Sequence, residues 1–552
     1  MSASPSADRL LDAPEEGPSG AAGPAAGSSP DQAAPPPPPV VAHPPLKGTE
    51  LVLGTIALSL ATFMNVLDSS IANVSLPAIA GDVGVSPTQG TWVITSFGVA
   101  NAISVPLTGW LTQRFGAVRL FTMSVLLFVL ASWLCGLAGS LEALIAFRVL
   151  QGLVAGPMIP LSQTLLMASY PPNKTGTALA MWGMTTLVAP VVGPLLGGWI
   201  TDNVSWPWIF YINVPVGLLA AGLTWSLYRK RETPTKSLPI DGVGLGLLVV
   251  WVGALQIMLD KGKELDWFHS TEIVVLGLVS LVGLVVFVIW ELTDDHPVVD
   301  LRLFGGRNFT LGVITLSLAY MLFFGNVVLM PLWLQQHMAY TATWAGMALA
   351  PVGLFAILLS PVVGKLVGKR DPRQLATVAF LTFALVLWMR SQFTPQTDLA
   401  HVMVPTLIQG VALAFFFIPL TSIVMSGLTP DRIASAAGLS NFVRITAGAI
   451  GTSMATTLWD NRATLHHAHL SEGLDLGAGE GGQLMQQLTN QGWSVDAIAQ
   501  VVNRWIDQQA FTRAADDIFW VSAGIFLVLL VPLWLTRPKA GPGGAAVDAG
   551  AH

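Results

Sequence analysis

Long apolar stretches alternate with short polar breaks along this chain, and the rhythm persists from about Thr49 to Thr536. About 20 consecutive apolar residues let an α-helix cross the hydrocarbon core of a bilayer. Fourteen stretches of that kind can be read, centred near Leu60, Ala100, Leu127, Val154, Val188, Leu218, Val250, Leu281, Ala319, Leu354, Leu381, Ala414, Ile445 and Leu527. In lipid every backbone N–H and C=O must be satisfied within the protein, so helices are the expected element at each stretch. The pattern predicts an all-α integral membrane protein.

Composition agrees, with 53% hydrophobic and only 11% charged residues among 552 and a mean hydropathy of +0.63, where soluble chains carry about 25% charge. The net charge of −6 says less than the placement of the basic residues. Alternate short loops hold Arg114 and Arg119, Lys174, Arg229 to Arg231 with Lys236, Arg302 and Arg307, Lys365 to Arg373, and Arg432. The opposite loops hold almost none, Lys261, Lys263 and Arg390 being exceptions, so both termini are expected in the cytoplasm. Residues 1–48 are rich in Ala, Gly, Ser and Pro, contain the run Pro35 to Pro39 and lack a signal-peptide pattern; with 537–552 they read as disordered tails. One cysteine, Cys135, excludes an intramolecular disulfide and a cysteine metal site. No nucleic-acid partner is expected.

The two halves of the chain rhyme. Asn73-Val-Ser-Leu-Pro77 is echoed by Asn326-Val-Val-Leu-Met-Pro331, Thr91-Trp92 by Thr343-Trp344, and Pro106-x-x-Gly109-x-Leu111 by Pro361-x-x-Gly364-x-Leu366. Gln151-Gly152 with Ile159-Pro160-Leu161 is matched by Gln409-Gly410 with Ile418-Pro419-Leu420. Each pair lies about 250 residues apart, which predicts a parallel duplication of six-helix units, residues 49–232 and 301–536, around two inserted helices in 233–300. The second unit includes an extracytoplasmic loop at 459–516, Gly-rich near 473–482 and helical near 484–509, a candidate docking surface for a partner outside the membrane.

Within the apolar spans, ionisable groups are costly and point to function. Asp68 shares a face with Asn65, Ser69 and Ala72, which aims its carboxylate into a cavity as a candidate proton carrier or as a structural carboxylate pairing a neighbouring helix. Arg148, with Gln151 three residues on, supplies the opposite charge, and Gly152-x-x-x-Gly156 allows a close neighbour. The repeat puts Thr406 opposite Arg148 and Met321 opposite Asp68, so coupling is expected in the first half. Arg444 reads as a second coupling charge or a helix tie, and Asn65, Asn73, Gln151 and Asn326 as candidate cavity residues among adaptable Met and Phe side chains. Pro190, Gly193, Pro194, Gly197 and Gly198 in the fifth span argue for close packing and bending. His466, His467 and His469 lack suitably spaced partner ligands, so no metal is expected. No GxxxxGK[ST] loop and no cluster of nucleophile and base appear, which speaks against ATP as energy source and against an enzyme.

These residues carry a resemblance to the major facilitator superfamily, and within it to the fourteen-span drug:proton antiporters of EmrB type. Leu67-Asp68-x-x-Ile71-x-Asn73-Val74-x-Leu76-Pro77 is similar to the family's first-span motif and Arg148-x-x-Gln151-Gly152 to its fourth-span motif. Ala189-Pro190-x-x-Gly193-Pro194-x-x-Gly197-Gly198 resembles the antiporter motif, and Leu255 to Trp267 resembles the EmrB-type exporters in particular. Gly109, Arg114, Gly116 and Arg119 resemble the cytoplasmic gate, with Gln113 where many members carry aspartate. The resemblance implies a 6+2+6 helix fold in the bacterial inner membrane and export of amphipathic drugs by alternating access. It implies a proton gradient in place of a cofactor, and an EmrA-like membrane-fusion adaptor with an outer-membrane channel as partners. A dedicated exporter of one metabolite or siderophore, and a sensor that binds without transporting, remain open alternatives.

Overall fold

The computed structural model describes residues 44–537 apart from 172–173, 237–238, 368, 474–486, 488–489 and 492. Residues 1–43, including Pro35 to Pro39, residues 538–552 and the Gly-rich stretch from 474 to 482 lie outside the described residues. Among these residues, thirteen helices are long and apolar enough to cross a membrane. In chain order they are α1 (Gly48–Val83), α2 (Trp92–Phe115), α3 (Ala117–Gly136), α4 (Leu141–Ser169), α6 (Trp208–Arg231), α7 (Gly242–Lys261), α8 (Thr271–Thr293), α9 (Arg307–Gln336), α10 (Trp344–Val367), α11 (Pro372–Arg390), α12 (Leu399–Met425), α13 (Ile433–Glu472) and α14 (Val495–Leu535). Between α4 and α6 lies a further helix of 29 residues, α5 (Thr175–Asn203).

Polar residues start several of these helices. Ser140 caps α4 by accepting from the Ala143 N–H, Asp398 caps α12 through the His401 N–H, and Ser494 caps α14 through the Ala497 N–H. Proline interrupts them: α2 tightens to a 3₁₀ turn at Val105–Leu107 around Pro106, and α4 breaks between Ala155 and Met158, where Gly156 and Pro157 stand.

Equivalent glycines pack equivalent helices in the two halves. A methyl group at Gly152 on α4 would stand 2.5 Å from the Phe97 carbonyl oxygen on α2, and one at Gly410 on α12 would stand 3.2 Å from Phe355 Cβ on α10. Without a hydrophobic drive between helices in lipid, such close backbone approach is what holds them together. The same device joins α5 to α1, where a methyl at Gly193 would meet Ser70 Cβ at 2.5 Å and one at Gly197 would meet the Ile71 carbonyl at 3.2 Å. α5 runs as one continuous helix from Thr175 to Asn203.

Two apolar cores fill the first half, one around Met64, Phe121, Phe128 and Trp182 and one around Leu67, Ile79, Ile209 and Phe210. A single larger core holds the second half together, and the inserted α7 and α8 contribute Leu248, Trp251 and Phe287 to it. The segment 459–516 is helical at both of its described ends. α13 continues beyond Trp459, and its extension is held to α14 by Trp459 Nε1 donating to the Phe511 carbonyl at 2.9 Å and by His466 Nε2 against Asp517 Oδ2 at 2.8 Å.

Candidate functional site

Four helices of the first half meet at Asp68. The side chain is 2% exposed, so it faces the bundle interior rather than an open cavity. α4 brings Arg148, whose Nη1 donates to Asp68 Oδ2 at 2.6 Å and to Gln151 Oε1 at 2.8 Å. Gln151 Nε2 donates to Asp68 Oδ1 at 3.0 Å, and Asn213 Nδ2, from α6, donates to the same oxygen at 2.8 Å. From α3, Ser132 Oγ accepts a second bond from Asn213 at 3.0 Å, and the Cys135 thiol donates to Gln151 Oε1 at 3.6 Å. Each of these side chains is buried.

Arg148 is held from the other side too. Its Nε donates to the Val93 carbonyl at 3.0 Å, and the guanidinium lies 4.2 Å from the Phe97 ring centroid and 5.6 Å from that of Phe210. Nη2 has no hydrogen-bond partner among the described residues. A buried pair of this kind gains little net stability, but removing the charge of one partner strands the other at a cost of about 3–5 kcal/mol. Protonation of Asp68 does what such a deletion does: it leaves a buried, unpaired guanidinium. The carboxylate thus joins α1, α4 and α6 through three side-chain hydrogen bonds.

The other sequence candidates distribute elsewhere. Asn65 Nδ2 donates to the Ala155 carbonyl at 3.1 Å, where α4 breaks, and Asn73 is exposed on α1. Asn326 sits in the second half on a cavity of about 310 Å³ between α9, α13 and α14, lined by Met321, Met454, Ile518 and Ser522 among others. Its Nδ2 donates to Ser522 Oγ at 3.2 Å while its Oδ1 has no partner among the described residues. Arg444 is 5% exposed and spans the halves. It donates to Asn441 Oδ1 at 2.6 Å, Asn441 donates to Gln163 Oε1 on α4 at 3.1 Å, and the guanidinium lies 4.6 Å from Tyr320, 5.7 Å from Phe417 and 5.9 Å from Trp182.

Arg390 departs from its reading as a loop charge. It ends α11 at 1% exposure and donates to Thr406 Oγ1 at 3.2 Å and Gln409 Oε1 at 2.7 Å. These are the positions that match Arg148 and Gln151 in the repeat, so the second half holds a guanidinium at the equivalent place from a neighbouring helix. Asn213 was also missed; its signal is an amide inside an apolar span, two residues before Pro215.

At the far end of α2, a methyl at Gly109 would stand 2.7 Å from Ser435 Cα on α13, and one at Gly364 on α10 would stand 2.6 Å from the Gly176 carbonyl on α5. Both contacts join the two halves directly. Gly116, at φ 87°, begins α3 in a conformation open to glycine. Glu232, just beyond α6, accepts from the Val118 and Arg119 N–H groups at 3.0 and 2.9 Å and so caps the start of α3. Arg114 lies 5.5 Å from the Trp110 ring. The glycines of the fifth-span motif, Gly193 and Gly197, line the α1 seam through Ser70 and Ile71, one turn from Asp68; the side chains of Pro190 and Pro194 lie outside the described residues, and a methyl at Gly198 would stand 3.9 Å from Val74 Cγ1, an ordinary contact.

The family model described as Major Facilitator Superfamily matches residues 58–452. The chain is 53% identical to the Multidrug export protein EmrB of Escherichia coli (strain K12) over 509 residues, 92% of this chain and 99% of that protein. It is 50% identical to the Fatty acid resistance protein FarB of Neisseria gonorrhoeae over 502 residues, 91% of this chain and 99% of that protein. Among solved structures, the human organic anion transporter MFSD10 (TETRAN) aligns with a TM-score of 0.56 at 13% identity, covering 88% of this chain and all of that one, a likeness of fold alone.

Proposed function

The chain belongs to the major facilitator superfamily, and on that premise we propose that it exports amphipathic drugs and related toxic compounds across the bacterial inner membrane in exchange for protons. It is a secondary transporter rather than an enzyme. The single observation that carries the coupling is the sealed Asp68–Arg148 pair at 2.6 Å, with Gln151 and Asn213 supplying further donors to the carboxylate. A proton arriving from outside neutralises Asp68 and frees Arg148, which loosens α1 against α4 and α6; its departure on the cytoplasmic side restores the pair. Because α1 also carries the α5 seam at Gly193 and Gly197, movement of α1 reaches the surface between the halves.

α5 acts as the fourteenth span, so that the helices divide as 6+2+6 with both termini in the cytoplasm, in keeping with the basic loops. The Gly109–Ser435 and Gly364–Gly176 contacts then close the cytoplasmic face. Arg444, charged and ringed by Tyr320, Phe417 and Trp182 where the halves meet, orients substrate or ties the halves. The names of the relatives, multidrug export and fatty acid resistance, support a broad amphipathic range. The helical extension of α13 and α14 with the exposed Trp505, at 56%, offers a surface to an EmrA-like membrane-fusion adaptor and through it to an outer-membrane channel.

Everted vesicles energised to an acidic interior test this. On adding a panel of lipophilic cations, weak acids and uncoupler-free dyes, the wild type dissipates the pH gradient in a substrate-dependent manner. Binding without any proton movement would replace this reading with a sensor, and a response to one compound alone would replace it with a dedicated exporter.

A further inference from the structure

The stretch Leu255 to Trp267, where α7 ends, has no place in the mechanism so far, yet it touches both halves at the end of the molecule opposite Gly109. Toward the first half, Asp260 accepts a hydrogen bond from Thr95 Oγ1 on α2, and Lys261 Nζ donates to Thr91 Oγ1 at 2.9 Å. Lys261 also pairs with Glu264 at 2.9 Å and lies 5.6 Å from the Trp92 ring. Toward the second half, Ser453 Oγ on α13 donates to the Leu259 carbonyl at 2.8 Å, Trp267 Nε1 donates to Thr457 Oγ1 at 2.9 Å, and Lys263 Nζ pairs with Asp460 Oδ2 at 2.7 Å. Backbone geometry holds the turn in this shape. Asp266 and Trp267 sit at φ 56° and 49°, a costly region for residues with side chains, and a methyl at Gly262 would collide with the Trp267 ring at 2.6 Å. Deeper in the membrane the same insert continues the bridge, with the Trp251 ring edge-on to Phe442 of α13 at 5.8 Å.

The two sides of the bridge are unequal. Lys261 is 9% exposed and its contacts to α2 are partly enclosed by Trp92, whereas the Lys263 and Asp460 side chains are 49% and 40% exposed. An exposed ion pair contributes only about 0–1 kcal/mol, and two neutral hydrogen bonds add roughly 1 kcal/mol each. The α13 side, closed by an exposed ion pair, is the more solvent-accessible of the two.

We propose that the turn from Leu259 to Trp267 is an extracytoplasmic latch: it keeps its bonds to the start of α2 and releases Ser453, Thr457 and Asp460 of α13 each time the outer end of the transporter changes state. Alternating access as proposed above underlies this, so the test separates the two.

In the full-length protein in nanodiscs, spin labels at Phe268→Cys and Leu458→Cys report the α13 side, and labels at Phe268→Cys and Gln89→Cys report the α2 side; Cys135, fully buried, is left in place. Between acidic and alkaline pH, and again in Asp68→Asn, the first distance changes population and the second stays fixed. A first distance that never changes, or a second that changes as much, overturns the latch. In parallel, Lys263→Cys/Asp460→Cys is bridged with a reversible bis-methanethiosulfonate reagent in everted vesicles. Substrate-driven proton flux falls at least tenfold when bridged and returns on reduction. Unaltered flux in the bridged protein contradicts the latch, whereas absence of flux in the reduced protein contradicts the transport reading and leaves the latch to be decided by the two distances.

Discussion

Gly109 and Gly364 sit where the two halves touch, at positions with no room for a side chain. Replacing Gly364 with alanine places a methyl 2.6 Å from the Gly176 carbonyl oxygen and 3.1 Å from Ala180 Cβ; replacing Gly109 places one 2.7 Å from Ser435 Cα. Ser435 Oγ also stands in the way and can turn aside, but Gly176 O and C, Ser435 Cα and Cβ and Ala180 Cβ cannot, so the helices must separate by roughly 0.7 Å to reach ordinary contact, and overpacking of that kind costs about 1–3 kcal/mol. The cost falls on the state in which the halves touch here and vanishes once they part. Each alanine therefore shifts the equilibrium away from the closed state by about 5- to 150-fold, and the pair together by more, since the two seams lie on different helices. Cysteine accessibility along the loops at Arg114 and Lys365 reads the shift: labelling by a membrane-impermeant maleimide from the cytoplasmic side rises in Gly109→Ala and Gly364→Ala, while Gly346→Ala, with nothing within 4 Å of the added methyl, behaves as wild type. Unchanged labelling in both variants, with normal expression, would refute the reasoning that these contacts are a closing seam.

Asn213→Leu removes one donor to Asp68 and leaves Ser132 Oγ short of a partner, a loss of about 1–3 kcal/mol; transport should drop by at least fivefold with substrate binding retained, and unimpaired flux would argue against a role in holding the carboxylate. Glu232→Ala deprives the first turn of α3 of an acceptor bonded to two backbone N–H groups, which should cost roughly 1 kcal/mol and lower the thermal midpoint in detergent, with Glu232→Asp recovering part of it. His337, just beyond α9 and stacked 4.0 Å from Phe511, is held below its usual value of 6.5 chiefly by burial, against the pull of Asp507 and Asp460. The unfolded chain then binds the extra proton first, so stability rises with pH up to about 6.5 and falls as the solution is acidified below it; His337→Gln should flatten that part of the melting-temperature profile.

Much of the fold was legible because membrane spans announce themselves by length and because the repeat left its prolines and glycines in register, as Gly152 and Gly410 show. Asp68 and Arg148 stood out for the same reason, being charges where charges are expensive. Partners that complete a site from a distant part of the chain were not legible. Asn213 reaches Asp68 across 145 positions, Glu232 caps α3 from beyond α6, and Arg390 delivers a guanidinium to the Thr406 position from the preceding helix. Each depends on helix order and rotation, which a hydropathy pattern leaves open. The pairing of α13 with α14 beyond Trp459 was not legible for a related reason: it buries Trp459 against Phe511, a contact between positions 52 residues apart that no local pattern announces.

On this mechanism Asp68 takes up and gives up the proton that drives export. Purified protein in weakly buffered detergent solution, monitored with a pH indicator while a transported cation is added, addresses it directly. Wild type should release protons in proportion to bound substrate, and Asp68→Asn should bind the same substrate with no release. Equal release from both proteins would contradict the account and move the coupling site elsewhere.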